Sequence, residues 1–103
     1  MKPLNIVDAA EAEFSDAVAW YRDRDPRVAA RFAAEARETL RRIESFPQIT
    51  GRVPGISRRD IRRMPIQKFP YYVVFVILAD RLEVVAFAHY KRRPHYFMNR
   101  VRT

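Results

Sequence analysis

"YYVVFVILADRLEVVAFAHY", residues 71–90, contains two apolar runs separated by one acid and one base. The first, residues 71–79, is continuous and dominated by β-branched and aromatic side chains. It shows neither helical periodicity nor the alternation of a half-wet strand, so its length and composition indicate a strand covered on both faces. The second, residues 82–90, returns as its partner strand. Asp80-Arg81 between them predicts a two-residue hairpin turn, although the glycine that usually eases such a turn is absent. These runs form the centre of a small antiparallel sheet, around which the other segments must be arranged.

Immediately upstream, "RRDIRRMPI" (58–66) reads as a short, strongly basic strand. Pro65 near its end implies an edge or a bulge, because proline has no N–H to give to a ladder. Alternation puts Arg62 and Met64 on one face and Arg63 on the other. "PQITGRVPGISRR" (47–59) holds both glycines of the chain and two prolines, the composition of a connecting loop.

The first half is helical. Asp8 is a candidate N-cap, and Ala10, Phe14, Ala17, Val18 and Tyr21 fall on one face of a helix that stops near Arg24. Trp20 and Tyr21 are most simply packing residues. "DP" restarts the helix, with Asp25 as N-cap and Pro26 at the first helical position. Ala29, Phe32, Ala33, Ala36, Leu40 and Ile43 then make a second stripe that ends before Pro47. "PLNIV" (3–7) reads as an edge strand, and "PHYFMNRV" (94–101) closes the chain with one or two helical turns starting at Pro94. The expected fold is α+β in the order β-α-α-β-β-β with a short C-terminal helix. A helical hairpin packs on one face of a small, mostly antiparallel sheet whose other face is open. At 103 residues the chain fits one domain, 1–103.

The net charge of +8 is unevenly distributed. Residues 1–50 hold eight Lys/Arg and nine Asp/Glu, whereas residues 51–103 hold twelve and three. An excess confined to one half predicts one positive face that meets a polyanion or an acidic protein. Its densest segment is "AHYKRRPHYFMNR" (88–100), where cations alternate with aromatic rings. With no cysteine, neither a disulfide framework nor a thiolate zinc site can form. His89 and His95 lack a third ligand, so no metal or cofactor is expected. The N-terminus turns acidic too early for a signal peptide, and no apolar run approaches the ~20 residues of a membrane span. A cytoplasmic protein without membrane contact is expected. "GRVPG" is not a phosphate-cradling loop, and the serines have no triad-like context.

Several segments, in this order and spacing, resemble the RelE/ParE superfamily of toxins from bacterial type II toxin-antitoxin modules, including those that stabilise plasmids. "AEAEFSDAVAWY" is similar to the family's first helix, and "RFAAEARETLRRIESFPQITGR" to its second helix and following loop. "RRMPIQKFPYYVVF" resembles the basic strand leading into the central strand, and "VVAFAHYKRRPHYFMNR" the closing strand and basic-aromatic tail. The resemblance implies a toxin neutralised by a cognate antitoxin. That antitoxin should be acidic, wrapping the hairpin and sheet as an extended segment and a helix. ParE-like members poison DNA gyrase, and RelE-like members cut messenger RNA on the ribosome. On the nuclease branch, Arg62, Arg92, Arg93 and Tyr96 would supply the charge and the aromatic that RNA cleavage needs. Where that branch has Tyr-Arg entering the central strand, this chain has Tyr71-Tyr72, and its paired helices and "RRP" tail look more ParE-like. On either branch the expected target-binding residues are Arg62, Arg63, His89, Lys91, Arg92, Arg93, Tyr96 and Arg100.

Overall fold

A computed structural model of the chain describes residues 1–101. Among them β1 (Leu4–Ile6) is followed by α1 (Asp8–Arg24), α2 (Pro26–Ser45), β2 (Gly51–Arg52), β3 (Ile61–Pro65), β4 (Tyr71–Ile77) and β5 (Leu82–His89). Single 3-10 turns lie at Pro47–Ile49 and Met98–Arg100, the latter being the expected C-terminal helical turn, which starts at Met98 and not at Pro94. The five strands form one sheet in the order β1-β5-β4-β3-β2. β2 to β5 are antiparallel neighbours, and β1 lies parallel to β5. The helical hairpin thus carries the chain from one edge of the sheet to the other. α2, about 30 Å long at 1.5 Å per residue, is long enough for that crossing.

The helices begin where their residues dictate, with one correction. Asp25 caps α2, its carboxylate accepting the Arg27 N–H at 2.9 Å, and Pro26 follows at the first helical position. Arg27 holds the Asp25 carboxyl below its ordinary range. Asp8, by contrast, lies within α1. Val7 is the cap residue and gives no side-chain hydrogen bond, while Asp8 and Glu11 place negative charge in the first turn, where the helix dipole favours it.

One core lies between the helices and the sheet. Phe32 is fully buried at its centre, with the rings of Phe14, Tyr21, Phe69 and Tyr71 at centroid distances of 5.1–5.9 Å. The opposite face of the sheet is not open. Val53 and Ile56 from the loop after β2, together with Tyr96, Phe97, Met98 and Val101, pack there against Ile61, Val74, Val76, Val85, Ala86 and Ala88. β4 is therefore covered on both faces, as its unbroken apolar run requires.

The turn between β4 and β5 is displaced by one residue from the expected position. Leu78 N–H donates to the Arg81 carbonyl at 2.9 Å, so Ala79 and Asp80 form its centre. Arg81 instead bonds Asp80 and Glu83. β2, inside the expected loop, pairs Gly51 with Arg63 and Arg52 with Arg62. It stops short of Pro65, which therefore sits where β3 has an open edge and loses no ladder bond. No helix among the described residues is long and apolar enough to cross a membrane.

Candidate target-binding surface

The tail of the chain is positioned by a gap at the sheet edge. β1 ends opposite Val84, so β5 runs on to His89 without a strand on that side. Within this stretch the register slips, with Val74 facing Ala86 but Phe75 facing Val84. Val85 is left without a partner, a bulge that turns its carbonyl out of the ladder. Side chains fill the gap. The Glu13 carboxylate of α1 accepts the Phe87 N–H at 3.0 Å, the Tyr96 hydroxyl at 2.7 Å and the Arg100 guanidinium at 2.9 Å, and Arg100 donates also to the Val85 carbonyl at 3.1 Å. Buried backbone groups need partners, and here an acid and a base supply them in place of a strand. Burial, reinforced by the bond to Glu13, pushes the Tyr96 phenol well above its ordinary range, so it remains a donor.

The same anchor orients the basic turn. Arg92 stacks over the Tyr96 ring at 4.0 Å, and its N–H donates to the His89 carbonyl. Further on, His95 adopts a left-handed backbone (φ 62°), and its Nε2 lies 2.8 Å from the Pro54 carbonyl as the donor of that bond. Gly55 beside it has φ +83°, and a Cβ there would come within 3.0 Å of the His95 ring. Glycine meets both demands of that contact.

On the face away from the helices these pieces enclose a cleft of about 300 Å³. Arg63 from β3 stacks over the Tyr72 ring at 4.3 Å, and Tyr72 packs on Tyr90 at 4.5 Å. Arg92 and Arg93 line the same cleft, with Tyr96 at its rim. The charge is available to a partner. Asp60 pairs with Arg62 and Arg52, Asp80 and Glu83 pair with Arg81, and Glu13 pairs with Arg100. Among the described residues, Arg63, Lys91, Arg92 and Arg93 have no ion-pair partner.

The expected residues do not form one patch. Arg62 points to the helix side, bonding Asp60 at 2.8 Å and the carbonyls of Gln48 and Thr50 at 2.9 and 2.8 Å. It stitches β3 to the segment after α2, and its side chain is only 16% exposed. Arg100 is held in the Glu13 anchor. Lys91 faces a second cleft, of about 590 Å³, with Trp20, Tyr71, Glu13 and Asp16. His89 borders both clefts, and its Nδ1 accepts the Lys91 N–H at 3.0 Å. Arg92 and Tyr96 form the ridge between them. No group of three or more metal-ligating side chains occurs among the described residues.

Three contributors, Glu13, Tyr72 and Tyr90, were not among the expected residues. Glu13 carried a signal, since it sits three residues after the buried Ala10, an acid on the inward side of α1. Tyr72 did too: the strand alternation that faces Val74 away from the helices also sends Tyr72 there.

Residues 4–94 match the family model described as ParE toxin of type II toxin-antitoxin system, parDE. The chain belongs to the ParE toxin family. This ParE-family toxin also shares its fold with a solved chain of the chromosomal ParDE toxin-antitoxin system from P. aeruginosa. The two are 13% identical and superpose with a TM-score of 0.74 over 86% of this chain and 96% of the other. No curated protein matches the sequence.

Proposed function

We propose that this ParE-family toxin arrests growth in the cytoplasm by binding and poisoning DNA gyrase through the cleft on the sheet face away from the helices. A cognate acidic antitoxin would neutralise it. The observation that carries this reading is the convergence of Arg63, Arg92 and Arg93 with Tyr72 and Tyr90 at one cleft that no carboxylate lines among the described residues. Unpaired arginines beside exposed aromatic surface are the composition of a binding hot spot.

The same geometry weighs against the ribosomal endoribonuclease. Metal-free RNA cleavage needs a base, an acid and cations around one phosphate. Of the four residues that would serve, Arg62 lies across the sheet from Arg92 and Arg93. The Tyr96 hydroxyl is committed to Glu13 and held protonated, which unsuits it to act as a base. For the antitoxin, a groove of about 360 Å³ lined by Ile6, Phe14, Leu40 and Phe87, with Glu11 and Arg37 beside them, supports docking of an amphipathic segment.

The test is expression without antitoxin, with DNA and message followed separately. Gyrase poisoning gives cleaved DNA and intact message. Truncated message with intact DNA would overturn the reading.

A further inference from the structure

We infer that the cleft facing away from the helices grips single-stranded nucleic acid, holding one phosphodiester and one unpaired base without cutting the strand. The cleft has an aromatic platform with cations at its margins. Arg63 from β3, Tyr72 from β4 and Tyr90 just after β5 form a continuous row, the guanidinium 4.3 Å from the Tyr72 ring and the two rings 4.5 Å apart with a tilt of 36°. Tyr90 ends that row and is 49% exposed, offering a ring to whatever arrives. Arg92 and Arg93 stand exposed beside it without ion-pair partners among the described residues.

Stacked aromatics flanked by cations are the means by which unpaired strands are held, since every base has a π-face and every linkage a negative charge. A duplex buries its base faces and cannot use the platform. At about 300 Å³ the cleft lies at the small end of ligand clefts, a size that suits one planar unit with its phosphate.

Cutting needs a base and an acid poised together at one phosphate, and His89 is a single imidazole at the cleft, its Nδ1 accepting the Lys91 N–H, with no carboxylate partner there among the described residues. His95 Nε2 is engaged by the Pro54 carbonyl and the Tyr96 hydroxyl by Glu13. The site therefore holds and does not hydrolyse. This inference shares its cleft with the gyrase reading but does not depend on gyrase being the target.

The test is fluorescence anisotropy of the full-length toxin with labelled oligothymidylate, oligouridylate, a duplex of the same length and a strand of abasic sites. Both single strands should bind more tightly than the duplex or the abasic strand and emerge uncut; a preference between them assigns DNA or RNA. The logarithm of affinity should fall against the logarithm of salt with a slope of about −0.7, the value for one neutralised phosphate of a single strand. Arg92→Ala/Arg93→Ala should flatten that slope. Tyr90→Ala should weaken single-strand binding about tenfold at unchanged slope, and Tyr90→Trp should restore it. Arg58→Ala/Arg59→Ala removes two other arginines of the basic half, outside the cleft, and should have little effect. Equal affinity for duplex, indifference to Tyr90→Ala, equal damage from the Arg58/Arg59 pair, or no binding at low salt would each overturn the inference. Gyrase captured by a toxin that binds no oligonucleotide would leave the proposed target standing and remove this one.

Discussion

Glu13 and Arg100 meet at 2.9 Å across nearly the whole length of the chain, and together they satisfy the backbone that β1 leaves uncovered on β5. Their side chains are 16% and 20% exposed, so the pair is only partly screened by water. Glu13→Ala would strand the Phe87 N–H, the Tyr96 hydroxyl and the Arg100 charge together. The expected cost is about 2–3 kcal/mol in urea unfolding. Glu13→Gln, which keeps an acceptor, should cost less. A loss below about 0.5 kcal/mol for the alanine variant, the range of an ordinary surface change, would show that the anchor does not hold the tail.

The Tyr96 phenol predicts a pH dependence at the alkaline end. Burial first, and then the bond and charge of Glu13, raise its pKa in the folded chain above the ~10 of an unfolded tyrosine. The folded state thus binds that proton more tightly. The resulting stability is fully present below pH ~10 and is lost as pH rises through the folded value. Tyr96→Phe should make the fall in melting temperature above pH ~10 shallower. It should not abolish the fall, because burial also raises Tyr21 and Tyr71. Parallel curves for the two proteins would contradict this account.

The two glycines should respond differently to alanine. Gly55 combines a left-handed φ of +83° with a Cβ position 3.0 Å from the His95 ring, whereas a Cβ on Gly51 would meet nothing within 4 Å. Gly55→Ala should cost about 1–2 kcal/mol and loosen the loop from the tail. Gly51→Ala, on an exposed edge strand, should leave the urea midpoint nearly unchanged. Equal effects would mean that the His95 contact is not formed in solution.

Phe32 is the hub of the aromatic core, and its removal tests the packing of the helices on the sheet. Phe32→Ala should cost about 3–5 kcal/mol, enough to unfold a domain of this size in part. A variant that melts within a few degrees of the wild type would show that the four surrounding rings pack without it.

Much of this architecture was legible because local chemistry and tertiary context agree. Asp25-Pro26 starts a helix by capping and by fixed φ, and the unbroken run of β4 reflects covers on both faces. Other features depended on pairings that local pattern does not encode. β2 is two residues long and exists only because Gly51 and Arg52 find Arg63 and Arg62. The turn slipped by one residue because Ala79-Asp80, not Asp80-Arg81, closes the ladder, leaving Arg81 to bridge two carboxylates.

The proposed binding surface was legible in composition but not in direction. Alternation correctly joined Arg62 to Met64, and Met64 carries the clue to the outcome: an apolar neighbour two residues on faces the helical core, so Arg62 must face it as well. Arg63, the odd one out, therefore reaches the cleft. The Val85 bulge, which shapes the anchor of the tail, leaves no mark in an apolar run.

The account's central claim is that Arg63, Arg92 and Arg93 act together at one cleft. The most direct measurement is the DNA cleavage accumulated by purified gyrase with the wild-type toxin and with Arg63→Ala and Arg92→Ala/Arg93→Ala variants of unchanged melting temperature. Cleavage with the wild type, and its loss with either variant while Arg58→Ala/Arg59→Ala retains it, is the predicted result. Undiminished cleavage by both cleft variants would contradict the claim.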